Sequence, residues 1–205
     1  MRKFSVLLLS LLFLPLTIIY ASSDQARRDY QFQFDIYRQK NTEFQIAKNE
    51  YAKFRTLIAQ TTALEKTRSM LAQRDQLLHS YLSLLGEKLA EDQGLNASTK
   101  QVYIGIIQNE LIFLEKHAQL IPSIGSLEDA VHVSQELESH YKVLSISIRQ
   151  ILVGLSVGQL SILANKFDSS VRDAQAIVST FGGTFTPEKQ QTINRWILQI
   201  NNKRS

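Results

Sequence analysis

Glu128, His132, Glu136 and His140 follow one another at four-residue intervals in a chain of 205 residues. Imidazole nitrogens and carboxylate oxygens are donors for divalent metals, and a His–carboxylate pair is also the working part of general acid–base catalysis. The spacing argues against convergence. Four residues of α-helix advance about 40° beyond a full turn, so the four side chains curl around the helix. A helical di-iron centre uses Glu-x-x-His twice, and the sequence contains no such motif. The row is therefore read as a solvated face of alternating charge, with no metal expected. His79 and His117 stand isolated in the sequence.

A second polar feature is Arg68 with Asp75, seven residues apart beside a line of leucines. That spacing places both on one helix face. They read as a partly buried ion pair, or two snorkelling side chains, that fixes helix register, the alternative being a polar site inside the bundle. Other chemistries are missing. Without Cys there are no disulfides, thiolate metal sites or thiol nucleophiles. No serine is expected in the strand-to-helix turn of a hydrolase nucleophile, and no phosphate loop, dinucleotide fingerprint or zinc-protease motif occurs. The sequence thus names no catalytic, cofactor-binding or metal-ligating residue, and no enzyme or cofactor is expected.

The elements that carry these residues read as helices. The chain is 44% hydrophobic, with three Pro and eight Gly. That is too apolar for disorder and too poor in turn residues for an all-β fold. From Asp24 to about Gln60, Tyr30, Tyr37, Phe44, Tyr51 and Ile58 recur every seven residues, with Phe34, Ala47 and Phe54 beside them. This predicts one long helix with an aromatic seam. Thr62 with Glu65 matches a capping box: either the chain restarts near residue 61 or the first helix runs through. The second helix is expected over about Ala63 to Glu91, with Leu64, Leu71, Leu78 and Leu85 in line and Gly94 as its stop. No basic region precedes this leucine line, which excludes a DNA-binding zipper.

A third, strongly apolar helix is expected from about Thr99 to Ile121, capped by Ser98 with Gln101 and ended by Pro122. The fourth starts at Ser126 and repeats Ala130, Leu137, Leu144 and Ile151 every seven residues. Its phase shifts near Gly154 and Gly158, then continues through Leu160, Leu163, Phe167, Val171, Ala174, Val178 and Phe181. This is either one kinked helix or two helices meeting near Gly154. The stretch Val143 to Ala164 is long enough to span a membrane, and Gly154 with Gly158 forms a GxxxG pair. Arg149 near its middle would cost about 3 kcal/mol there, so a core helix with close approach at the glycines is expected. Thr186, Pro187 and Glu188 start a last short helix, with Trp196 as its dock and Asn201 to Ser205 as a frayed basic tail. The fold class is all-α, an elongated antiparallel helical bundle with coiled-coil-like long helices. Residues 22–181 form the bundle, and 182–205 the docking helix and tail.

Met1-Arg2-Lys3, the apolar run Phe4 to Tyr20 and the small residues Ala21-Ser22-Ser23 have the layout of a secretory signal peptide, residues 1–21. The rival reading is an uncleaved anchor, since the run of about 17 residues sits at the short end for a span. Without Arg2 and Lys3, 21 basic and 19 acidic residues remain, a balance that does not point to nucleic acid. Asn96-Ala97-Ser98 matches a glycosylation acceptor.

The run Leu64-Glu65-Lys66-Thr67-Arg68-Ser69-Met70-Leu71-Ala72-Gln73-Arg74-Asp75 resembles helical segments of uncharacterised secreted α-helical proteins of reduced-genome bacteria. The resemblance implies export and no particular activity. The expected function is an exported, non-enzymatic structural or interaction protein of the cell envelope. Its expected partners are proteins, through self-association or partner helices, with membrane contact only through residues 4–21 if these stay attached. The alternative is an envelope chaperone or small-molecule carrier using an apolar groove of the bundle.

Overall fold

A computed structural model of the chain describes residues 23–204. Residues 1–21, read from the sequence as a signal peptide, lie outside them. Among the described residues the regular structure is helical: α1 (Ser23–Phe54), α2 (Leu57–Glu91), α3 (Ala97–Leu120), α4 (Leu127–Phe181) and α5 (Pro187–Arg204). Short 3-10 turns at Ile121–Ser123 and Gly182–Thr184 precede α4 and α5. The long helices pack antiparallel, as the pattern predicts.

Alternating steps of three and four residues align the buried faces. On α2 the row is Leu71, Asp75, Leu78, Leu82, Leu85 and Leu89; on α3 it is Ile107, Glu110, Leu114 and His117. Leu137, Leu144, Ile151 and Leu155 of α4 close the main core against them. A second cluster, of Met70, Leu71, Ile121, Ile124 and Ala130, fills the end where α3 turns into α4. Each fully buried leucine contributes about 1.5–3 kcal/mol.

The first helix pairs along α2 but contributes few fully buried side chains. It buries only Ala26 and Ala47, with Tyr30, Tyr37, Phe44 and Tyr51 half-buried. Tyr30 meets Tyr81 of α2 with ring centroids 5.1 Å apart. Gln33 and Gln73 (2.7 Å) and Glu43 and Lys66 (2.9 Å) tie the pair together. Phe34 and Phe54, expected beside the seam, are exposed.

The break between α1 and α2 falls six residues before the expected one, at Arg55 and Thr56. Arg55 adopts the left-handed region (φ 50°), and Thr56 caps α2 by accepting from the Ala59 amide at 3.2 Å. Thr62 and Glu65 lie inside α2 and cap nothing. Ile58 consequently leaves the aromatic seam and is exposed at the hairpin tip. At the other end of α2, the Asp92 carboxylate accepts from the Gly94 and Leu95 amides. Asn96, rather than Ser98 with Gln101, caps α3 by accepting from the Thr99 amide at 2.8 Å. The side chain of the glycosylation motif is thus engaged in a helix cap.

The fourth helix is continuous through Gly154 and Gly158. Both glycines are buried where other backbone and side chains come close. Gly158 lies against Gly94 and the Asp92 carboxylate, and Gly154 lies under the Tyr103 ring. The GxxxG pair therefore serves close approach within the chain. By length and composition alone α4 could cross a membrane. Within this fold its Leu144, Ser147, Ile151, Gly154, Leu155 and Gly158 are buried.

Beyond Gly158 the bundle ends, because that residue sits against the α2–α3 turn. The remainder of α4 forms an arm on which only Val171 is buried. Leu160, Leu163, Phe167, Ile177 and Phe181 are exposed along it. The last helix lies against the arm and has Ile193, Ile197 and Ile200 half-buried. Trp196 is 61% exposed, so the expected docking through this indole is not made. Asn201 continues α5, which runs to Arg204, instead of starting a frayed tail.

Gly158→Ala should lower the unfolding free energy in urea by about 1–3 kcal/mol, since its methyl group has nowhere to go. Gly105→Ala, in α3 with no atom within 4 Å of the new carbon, should raise it by roughly 0.5–1 kcal/mol. Equal effects at the two positions would contradict the close packing at Gly158.

Candidate functional site

Polar side chains interrupt the core in a column shared by α2, α3 and α4. On α3, Glu110, Phe113 and His117 lie three and four residues apart and so share one face. Asp75 comes from α2, and His140 and Ser147 come from α4 one heptad apart. Continuous helix fixes these spacings, and the packing of apolar neighbours at Leu82, Ile107, Leu114 and Leu144 brings them together.

At one end of the column, His117 is 2% exposed. Its Nδ1 lies 2.6 Å from Asp75 Oδ2 and its Nε2 lies 2.8 Å from the Val133 carbonyl oxygen. Both neighbours are acceptors, so the imidazolium donates two hydrogen bonds. Burial opposes the charge. The bond to Asp75, the bond to Val133 and the Asp75 charge outweigh it, even with Arg74 nearby, and raise the His117 pKa above its ordinary value. Arg74 is held below the usual guanidinium value by burial, partly offset by Asp75. Its Nη1 reaches Ser134 Oγ at 3.5 Å.

At the other end, Glu110 is also buried. Ser147 Oγ donates to its Oε1 at 2.7 Å, and His140 Nε2 lies 2.7 Å from its Oε2. The His140 ring stacks on Phe113 with centroids 3.6 Å apart. Phe113 also stacks with His117 at 6.1 Å, so the aromatic ring links the two His–carboxylate pairs. His140 opens onto a shallow depression of about 670 Å³ lined by Phe113, His132, Gln135, Glu136, Ser139 and Val143.

The structure therefore brings His132, Glu136 and His140 to one depression, whereas Glu128 remains in the first turn of α4. Among the described residues no three His, Asp or Glu are arranged to hold a metal ion. His117 is not isolated as its sequence position suggests. Asp75 is paired with it rather than with Arg68. Glu110 was missed from the sequence alone, and its place one heptad before His117 on a strongly apolar helix is the signal that could have found this row. Asp75 and His140 stood out in the sequence, but nothing there paired them with His117 and Glu110.

Chemically, most of the column is occupied, although Asp75 Oδ1 and the Arg74 Nε and Nη2 atoms are buried without a hydrogen-bond partner. His117 has both nitrogens occupied and no access to solvent, so it can neither ligate nor abstract a proton. Glu110 has both oxygens engaged. His140 reaches the depression, where the backbone around it is helical and its amides are committed to the helix ladder. That leaves no backbone pocket for a developing oxyanion. Ser156 sits in Gly154-Leu155-Ser156-Val157-Gly158, which spells G-x-S-x-G. Here the hydroxyl donates to the Leu152 carbonyl within α4 (2.9 Å), not at a nucleophile elbow.

Compared with known proteins, the chain matches no family model, curated protein or solved structure.

A raised histidine pKa means that the native state holds its proton more tightly than the unfolded chain does. The resulting stability is full below the unfolded imidazole value of about 6.5 and is lost as pH rises through the native value. Unfolding free energy measured by urea titration should therefore fall as pH rises above about 6.5. Asp75→Asn should flatten that slope. It should also cost about 3–5 kcal/mol at pH 6, because it breaks a buried pair. A wild-type stability that climbs over this range would contradict the imidazolium assignment.

Proposed function

We propose that this chain is an exported, non-enzymatic helical interaction protein of the cell envelope, and that it engages other helices through the arm of α4. The observation that carries this reading is the arm itself. A helix continuous with the packed bundle leaves it at Gly158 and presents Leu160, Leu163, Phe167, Ile177 and Phe181 to solvent. Contiguous apolar surface of this kind marks an interaction site in a folded protein.

Export is supported by the order of a basic start, an apolar run and small residues in positions 1–23. The carrier alternative rests on an apolar cleft lined by Phe44, Tyr51, Met70, Leu71 and Ala130, which measures about 280 Å³. That is close to the ~300 Å³ at which ligand pockets begin, so it is the exposed arm, not the size of the cleft, that favours the interaction reading.

In the native host, the chain should be recovered outside the cytoplasm with Ser22 as its N-terminal residue, read by mass spectrometry. A photo-cross-linking side chain at Leu163 should give protein adducts there, and one at Gln101 on α3 should give none. A chain with Met1 intact in the cytosol would overturn the export reading. An arm that yields no adduct would overturn the interaction reading.

A further inference from the structure

The exposed side of the arm is itself a seam with its own sequence logic. Ser156, Leu160, Leu163, Phe167, Ser170, Ala174, Ile177 and Phe181 follow one another at alternating steps of four and three residues. All are exposed. This is the repeat of a coiled-coil face, and it differs from the face on which Val171 and Val178 are withdrawn from solvent near α5. Lys166 and Asp173 flank it, one residue before Phe167 and Ala174. Both are exposed, and neither makes an ion pair with another described residue.

Resting on the reading of the arm as an interaction surface, we propose that its partner is the arm of a second copy of this chain. The two run antiparallel, with the two-fold axis between residues 168 and 169. In that register Phe167 lies opposite Ser170 of the other copy, Leu163 opposite Ala174, Leu160 opposite Ile177 and Phe181 opposite Ser156. In three of these layers a large side chain meets a small one, which allows close packing. The same register sets Lys166 beside the other copy's Asp173, on both sides of the axis.

Neighbouring registers fail on these criteria. A shift of one heptad in one direction places Asp173 against Asp173 and Phe167 against Ile177. The opposite shift places Lys166 against Lys166. Parallel pairing stacks Phe167 on Phe167 and Ser170 on Ser170, and its flanking positions bring Lys166 beside Val171, with no ion pair. Covering the five large apolar side chains on each arm would remove about 1,000 Å² of surface, the lower bound for a specific interface.

Analytical ultracentrifugation of the full chain tests this. The wild type should sediment as a dimer at micromolar concentration. Lys166→Asp and Asp173→Lys should each weaken dimerisation by about tenfold or more through like-charge contact. The double variant K166D/D173K should return to within about threefold of wild type. Phe167→Glu should give a monomer with unchanged helical circular dichroism, since residue 167 lies outside the bundle core. Four results would overturn the proposal: a monomeric wild type, a dimer indifferent to Phe167→Glu, single charge changes without effect, or a double variant that is not restored. A monomeric wild type whose Leu163 cross-linker still captures another protein in the host would overturn self-pairing alone and leave the arm as an interaction surface. Absence of both would overturn the two together.

Discussion

One buried imidazole joins the three helices of the core. His117 belongs to α3, receives its counter-charge from Asp75 of α2 and donates to a carbonyl of α4. Sliding α3 by a single turn would strand the Asp75 charge in an apolar layer, at a penalty of several kcal/mol. Its register is therefore fixed at that point. The other contacts follow along the helix: Glu110 arrives at His140 and Ser147, Tyr103 arrives over Gly154, and the α2–α3 turn arrives at Gly158. The place where α4 leaves the bundle is thus set some forty residues of chain away from the bond that determines it.

Buried ion pairs are a poor source of net stability but a good source of uniqueness, most clearly in heptad-packed helices. Rows of leucine on α2 and of leucine and isoleucine on α3 and α4 would tolerate several slipped packings. Two His–carboxylate pairs at seam positions do not. The same commitment engages both nitrogens of His117 and both oxygens of Glu110, while Asp75 Oδ1 stays buried without a hydrogen-bond partner and His140 keeps an open edge. Beyond Gly158, α4 continues with a row of apolar side chains exposed.

Much of this architecture was legible. The heptads of α2 and α4, the Pro122 stop and the Thr186-Pro187 start each act locally, through periodicity or a cap, and the structure has them where the sequence places them. The α1–α2 break was not legible. It depends on Arg55 entering the left-handed region without a glycine, and on Thr56 capping in place of the better-looking Thr62 and Glu65 pair. The pairing of Asp75 with His117 spans 42 residues and leaves no local trace. Arg68 at heptad spacing was the nearer but wrong partner. Continuity through Gly154 was ambiguous for a physical reason: glycine weakens a helix and also admits a neighbour, and only the ring of Tyr103 and the turn at Gly94 decide between the two. The failure of Trp196 to dock reflects how little of α5 has a surface to bury against.

The division of α4 at Gly158 is the claim on which the rest of this account stands. Hydrogen-exchange mass spectrometry of the full chain at rising protein concentration tests it directly. Amides between Ala130 and Gly158 should show strong protection at every concentration, because their opening follows global unfolding. Amides between Leu160 and Phe181 should exchange quickly in dilute solution and slow down as the chain associates. Uniform protection from Leu127 to Phe181, unchanged by concentration, would contradict it.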